Sequence, residues 1–340
     1  MKGKLLTLRF MLILSTLIVS GCGTITAQPT PVPPTPTPVP PTPTPELFKP
    51  IENSLVVFEK EGKIFLLDGL NSQPTQVAEG NGPSFSPDRS KIAYVKMDED
   101  NNIHIYELET GKTEALNTDE GRLRDVSWSP NGRYLVTDSG TSPLGAGGVY
   151  EYPTGRKITS FSSYVGITEW VSDQEFVFLE PQEVSPPRPW GSGDGGGLSK
   201  ITLPGGERQS LAQATALEDF FLLKVENGTI YFSKTTVKSS DDWGVVEGEV
   251  SYWQMDGNGE EKREIPKPET LTEKVTSELP AEFSEYRIFS GPIRHPDEDN
   301  WVIFDINKEG SVYNDPICIM NLNNPKDSFM QIAIGSYASW

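Results

Sequence analysis

Cysteine and histidine are nearly absent from this 340-residue chain, with two of each. One cysteine pair cannot build a disulfide scaffold, so stability has to come from an ordinary core. His104 and His295 lie about 190 residues apart and read as surface or turn residues, not as a ligand pair or a catalytic base. No G-x-S-x-G nucleophile elbow is present. The run "GSGDGGG" from Gly191 follows a Pro-rich stretch, with no strand before it and no helix opening after it. It reads as a flexible loop and not a phosphate cradle. Positive charge is also scarce: 29 Lys and Arg against 48 Asp and Glu, a formal net charge of −19. Such a chain repels nucleic acid and anionic lipid, and its acidity serves solubility. The acidic runs "DEDNN" from Asp98, "SSDDW" from Ser239 and "HPDEDN" from His295 lack the D-x-D-x-D-G spacing of a wrapped calcium loop. They read as solvated turns, and no metal or other cofactor is expected.

Long hydrophobic runs are missing too. The apolar stretch Phe10–Val19 is half the length needed to span a bilayer. Preceded by Lys2, Lys4 and Arg9, it reads as a signal peptide over residues 1–21. Its end, "VSGC", resembles the lipobox of bacterial lipoproteins, with Val19 in place of the more usual Leu. That resemblance implies cleavage after Gly21, acylation of Cys22 and a lipid anchor on the outer side of a bacterial membrane. Cys318, in the strand-like "PICIM", then has no partner and reads as a buried small apolar residue.

Proline is abundant instead, and concentrated. "PTPVPPTPTPVPPTPTP", Pro29 to Pro45, can form neither helix nor sheet because proline lacks the N–H and fixes φ. Residues 22–50 read as a disordered, polyproline-II-rich linker. Gly23 to Pro50 reaches about 85 Å at about 3.1 Å per residue.

Residues 51–340 carry a repeat. "FSPDRSKIAYV" (Phe85), "WSPNGRYLVT" (Trp128) and "WVSDQEFVFL" (Trp170) recur at spacings near 42 residues, with fainter copies at "LLKVENGTIYF" (Leu222) and "IRHPDEDNWVIF" (Ile293). Each copy is a short strand, a Pro-Asp or Pro-Asn type I turn and a second strand that is apolar nearly throughout, hence buried on both faces. Asn227 completes an N-x-T sequon, but in a tight-turn position. Two further strands follow each pair, as in "NIHIYELETGKTEALN". Four-strand units at this period predict an all-β, six-bladed β-propeller. The wording of the repeat resembles the propeller repeats of TolB and related periplasmic proteins. The α/β domain that precedes the propeller there is replaced here by the Pro-Thr segment.

Five units begin near Gly82, Arg124, Gly166, Leu217 and Arg287. The leftover "NSLVVFEKEGKIFLLDGLNSQPTQVA" supplies the second to fourth strands of a sixth, and the terminal "GSYASW" supplies its first. The C-terminal strand is therefore expected to close the ring, and the protein to be monomeric.

Strand alternation puts the short turns on one face and the long connections on the other. Those connections are "GTSPLGAGG" (Gly140), "PQEVSPPRPWGSGDGGG" (Pro181), "KTTVKSSDDWGVV" (Lys234) and "PKPETLTEKVTSELPAEFSEY" (Pro266). Trp190 and Trp243 sit in such loops, flanked by Arg188 and by Asp241 and Asp242, and aromatics ringed by charge are typical interface anchors. The expected function is non-catalytic: an extracytoplasmic lipoprotein presenting a propeller face to another envelope or extracellular protein or polymer. The alternative is a glycan-cleaving enzyme using paired carboxylates on the long-loop face or at the channel mouth.

Overall fold

The computed structural model describes residues 51–340, apart from 97–101, 117, 119–122, 139–143, 165–167, 184–193, 216, 242–243, 289–290 and 309–314. The expected signal peptide, the expected linker and Cys22 lie outside the described residues. The described chain is all-β, in six antiparallel sheets, with two α-helices and one short 3-10 helix.

β1 (Leu55–Lys60), β2 (Lys63–Asp68) and β3 (Thr75–Glu79) open sheet I. Sheet II is β4 (Asn81–Phe85), β5 (Lys91–Val95), β6 (Ile103–Glu107) and β7 (Thr113–Leu116). Sheet III is β8 (Asp125–Trp128), β9 (Tyr134–Asp138), β10 (Leu144–Glu151) and β11 (Arg156–Tyr164). Sheet IV is β12 (Thr168–Ser172), β13 (Glu175–Glu183), β14 (Asp194–Thr202) and β15 (Glu207–Ala212). Sheet V is β16 (Glu218–Glu226), β17 (Thr229–Asp241), β18 (Gly244–Asp256) and β19 (Arg263–Ile265). Between it and sheet VI comes helix α1 (Leu271–Glu278). In sheet VI, β20 (Tyr286–Ile288) and β21 (Ile293–Arg294) both pair with β22 (Trp301–Lys308). β23 (Pro316–Asn321), helix α2 (Pro325–Ser328) and β24 (Met330–Ile334) follow. The last strand, β25 (Ser336–Ser339), returns to pair with β1, giving sheet I the order β25-β1-β2-β3.

The recurrent Ser-Pro-Asp/Asn has a physical cause visible in two copies. At the β4–β5 turn, Ser86 N–H donates to the Lys91 carbonyl at 2.9 Å and Ser86 Oγ donates to Asp88 Oδ1 at 2.6 Å. The same oxygen accepts the Ser90 N–H at 3.0 Å. At the β8–β9 turn, Ser129 and Asn131 repeat the pattern, with Arg133 N–H donating to Asn131 Oδ1 at 3.0 Å and Tyr134 N–H to Ser129 Oγ at 3.0 Å. A hydroxyl and an Asx oxygen thus satisfy the turn's orphan donors while proline sets φ.

The second strands are the most buried, as their composition predicts. β5 (KIAYV), β9 (YLVTD) and β22 (WVIFDINK) bury nearly every residue, because both sheet faces are covered. The core is divided among the seams between sheets. Val57 and Ile64 meet Phe85, Ile92 and Tyr94 between sheets I and II. Ala93 and Ile105 meet Trp128 and Leu135 between II and III. Tyr134 and Val149 meet Phe176 and Phe178 between III and IV. Val177 and Leu198 meet Leu222 and Phe232 between IV and V. Val56 and Trp340 meet Trp301 and Ile319 between I and VI. Each fully buried side chain of this kind contributes about 1.5–3 kcal/mol.

Sheet VI is covered on its other face by α1. Val275, with Leu271 and Leu279 beside it, packs on Val302, Phe304, Ile306, Cys318 and Met320. This corrects the reading of "PKPETLTEKVTSELPAEFSEY" as loop. Thr270 and Glu273 form a reciprocal capping box that starts the helix, with Glu273 N–H on Thr270 Oγ1 at 3.1 Å. Cys318 is fully buried in this cluster, and burial pushes its thiol up to about 12, so it packs as an apolar residue.

Three other segments expected as loops are strand where they are described. β10 begins at Leu144, β13 and β14 continue through Glu183 and from Asp194, and β17 and β18 pair as far as Asp241 with Gly244. A two-stranded ribbon satisfies its own backbone polar groups across its length, so polar and Gly-rich sequence suffices.

Candidate functional site

Arg188, Trp190, Asp242 and Trp243 lie outside the described residues, as does the Asp241 side chain; only its backbone is placed, at the end of β17. What the structure does show is the elements that carry them. Residues 184–193 are the connection between β13 and β14, and residues 242–243 join β17 to β18. β16 pairs with β17 only up to Thr236, and β19 pairs with β18 only over Tyr252–Gln254. The β17–β18 pairing runs on to Asp241, beyond the pairing of both neighbours. Gly248, Glu249 and Val250 are exposed along it, Val250 at 53%. The β13–β14 ribbon likewise extends past β12, which stops pairing with β13 at Phe178. Both are connections from a second to a third strand of their sheets.

The structure also assembles a group that the sequence did not reveal, where β1, β4, β8 and β25 approach. Gly82 donates its N–H to Glu59 Oε2 at 3.2 Å. A Cβ on Gly82 would stand 2.7 Å from Asp125 Oδ1 and 3.0 Å from the Arg124 carbonyl, and its φ is +55°. Only glycine lets the strands come this close. Arg124 donates to the Tyr337 hydroxyl at 3.4 Å, and the Tyr337 N–H donates to Asp305 Oδ2 at 3.0 Å. Burial raises the Glu59 pKa; the Gly82 N–H opposes the rise, and the Asp125 charge adds to it. Burial raises Asp125 as well, against the attraction of Arg124 and with the help of Asp138. Two carboxyls near one guanidinium are thus both shifted towards the protonated form, each chiefly by its own burial.

His295 lies in a turn, as expected, but is buried there, and His104 lies in strand β6 instead of a turn. His295 is 3% exposed, because it takes the place that serine holds in the other turns. Its Nδ1 accepts the Asp297 N–H at 3.1 Å, which leaves Nε2 protonated and donating to Ser54 Oγ at 2.8 Å. His104 is half-buried, stacked on Tyr94 at 5.5 Å. Among the described residues, no group of three or more His, Cys, Asp or Glu is placed to hold a metal ion.

No family model matches the chain, and no curated protein matches it. Among solved structures it is similar to the beta-propeller domain of the Trilobed protease from Pyrococcus furiosus, at 16% identity and TM-score 0.46 over 80% of this chain and 75% of that one. It is also similar to TolB from Acinetobacter baumannii, at 15% identity and TM-score 0.45, covering 84% of this chain and 65% of TolB. A third similar structure is an oligogalacturonate lyase in complex with manganese, at 16% identity and TM-score 0.42 over 80% and 70% of the two chains.

Proposed function

We propose that this chain is a non-catalytic, monomeric lipoprotein held outside the cytoplasm of a bacterium by acylated Cys22. In this reading residues 1–21 are removed, residues 22–50 are a stalk, and sheets I–VI are the blades of a propeller closed by β25 on β1. Its partner is another envelope or extracellular protein or polymer, bound at the ribbon tips. The observation that carries the reading is the β17–β18 pairing, which continues past the pairing of both neighbouring strands as far as Asp241 with Gly244. Ordered ribbons ending in aromatic and charged residues are scaffolds for recognition. Among the described residues no helix is long and apolar enough to cross a membrane.

The test is capture of envelope components by the full chain and by Trp190→Ala and Trp243→Ala. Loss of about 2 kcal/mol of affinity in at least one variant, with unchanged melting, is the expected result. Undiminished capture by both variants overturns the reading.

A second reading rests on one observation, Glu59 and Asp125 brought to the same residue, Gly82. Carboxylate-dependent glycan cleavage needs such a pair. Release of reducing ends from envelope glycans, abolished by Asp125→Asn, would establish it.

A further inference from the structure

Asparagine followed by glycine occurs four times, at Asn81, Asn131, Asn227 and Asn258. Glycine has no side chain to hinder the approach, so its nitrogen can attack the side-chain carbonyl carbon of the asparagine before it. The fold treats the four pairs differently. Gly82 donates its N–H to Glu59 Oε2 at 3.2 Å, Gly132 to the Ser129 carbonyl at 2.9 Å and Gly259 to the Asp256 carbonyl at 3.0 Å. Asn131 is held by its side chain as well. Its Nδ2 donates to the Asp173 carbonyl at 2.9 Å, and its Oδ1 accepts the Arg133 N–H at 3.0 Å. Asn227 has none of these restraints. It is exposed, no described residue accepts the Gly228 N–H, and a Cβ on Gly228 would meet nothing within 4 Å.

Asn227 and Gly228 are the turn residues of the β16–β17 hairpin, closed by Glu226 opposite Thr229. Their φ angles are +50° and +73°, and two positive values in a two-residue turn define type I′. Rotating the single peptide between them converts type I′ to type II′ and leaves the closing pair in place. The ψ of Asn227 then swings to about −120°. That turns the Gly228 nitrogen to the same side of the backbone as the Asn227 side chain. At the other three pairs the same rotation must first break the hydrogen bond of the glycine.

We propose that Asn227 is a site of spontaneous covalent modification, deamidation through a succinimide. Hydroxide removes the Gly228 amide proton, and the nitrogen attacks Asn227 Cγ. The new C–N bond closes the ring. The Cγ–Nδ2 bond breaks, and Nδ2 takes a proton from water and leaves as ammonia. Water then opens the ring at either carbonyl. One opening gives aspartate, and the other gives isoaspartate, with the main chain running through the former side chain. The co-reactants are water and hydroxide alone. Either product places a new carboxylate beside Glu226, in a chain whose net charge is already −19.

Incubating the full folded chain at mildly alkaline pH, with peptide mass spectrometry over time, tests this. A matched sample in guanidinium chloride, where all four turns are lost, gives the rates that the sequence alone allows. In the folded chain Asn227 should convert about tenfold or more faster than each of the other three, the factor that one hydrogen bond is worth. In denaturant the four should convert at similar rates. The Asn227 peptide should split into aspartyl and isoaspartyl forms, the second accepting a methyl group from an isoaspartate-specific methyltransferase. Asn227→Gln, one methylene longer, should remove that signal. Equal conversion of all four pairs in the folded chain overturns the proposal. So does a folded Asn227 that stays intact while the denatured sample converts, or an isoaspartyl signal that persists in Asn227→Gln. The comparison of four sites within the unmutated chain decides the matter even if the variant fails to fold.

Discussion

The indole N–H of Trp340 donates to the Ile293 carbonyl at 3.1 Å, as the indole of Trp128 donates to the Ser84 carbonyl at 3.2 Å. Ile293 and Ser84 each stand three residues before the proline of their turns. The same stitch therefore joins first strands across the III–II seam and across the I–VI seam. Trp340 is 4% exposed and also meets His295 edge-on at 4.8 Å. Trp340→Ala is expected to cost about 3–5 kcal/mol, measured by denaturant unfolding. Deleting residues 335–340 should cost more and expose the edge of β1. Unchanged stability in the deletion would show that β25 holds nothing together.

Acid should weaken the same seam. Burial lowers the His295 pKa below its usual 6.5 and Arg89 lowers it further, while Asp297 and Glu298 oppose the shift. The native ring is therefore neutral where the unfolded ring takes up a proton. Stability is retained above the unfolded value and lost as pH falls below it. Melting temperature should drop from about pH 6.5 downward in the wild type. His295→Gln should flatten that slope.

Gly82→Ala places a methyl against Asp125 and the Arg124 backbone in a left-handed conformation. A loss of about 1–3 kcal/mol is expected, read by thermal melting.

Asp125→Asn tests the electrostatics of the same site. A raised carboxyl pKa means that ionisation is disfavoured in the fold, so the wild type carries a penalty above the ordinary carboxylate range. The variant should melt at or above the wild type at neutral pH, and the difference should shrink as pH falls through that range. A variant that is less stable at neutral pH would show that the Arg124 attraction outweighs burial.

Cys22→Ala should release the protein from the membrane fraction, because the Phe10–Val19 run is too short to hold it. Fractionation checks this, and tight retention of the processed variant would overturn the lipid anchor.

The repeat was legible because its turns are chemically constrained. Units expected near Gly82, Arg124, Gly166, Leu217 and Arg287 begin as strands at Asn81, Asp125, Thr168, Glu218 and Tyr286. Pro87 with Asp88 and Pro130 with Asn131 mark corners that few other residues can make. Helix α1 had a visible signal in Thr270-x-x-Glu273, but the prolines around it masked it. The ribbons were missed because Lys238–Asp242 and Gly195–Gly197 have low strand propensity. The approach of Glu59 to Asp125 joins strands from three sheets, and no local pattern in the sequence encodes it.

The position of β1 has a mechanical consequence. A pull on the residues before Ile51 enters the fold through a strand that is hydrogen-bonded on both sides, to β2 from Leu55 to Lys60 and to β25 at Val57 and Glu59. Load applied along β1 is shared by both ladders at once in shear, and cannot open a single free edge one bond at a time. In the proposed lipoprotein, this doubly paired strand is the one that receives the pull.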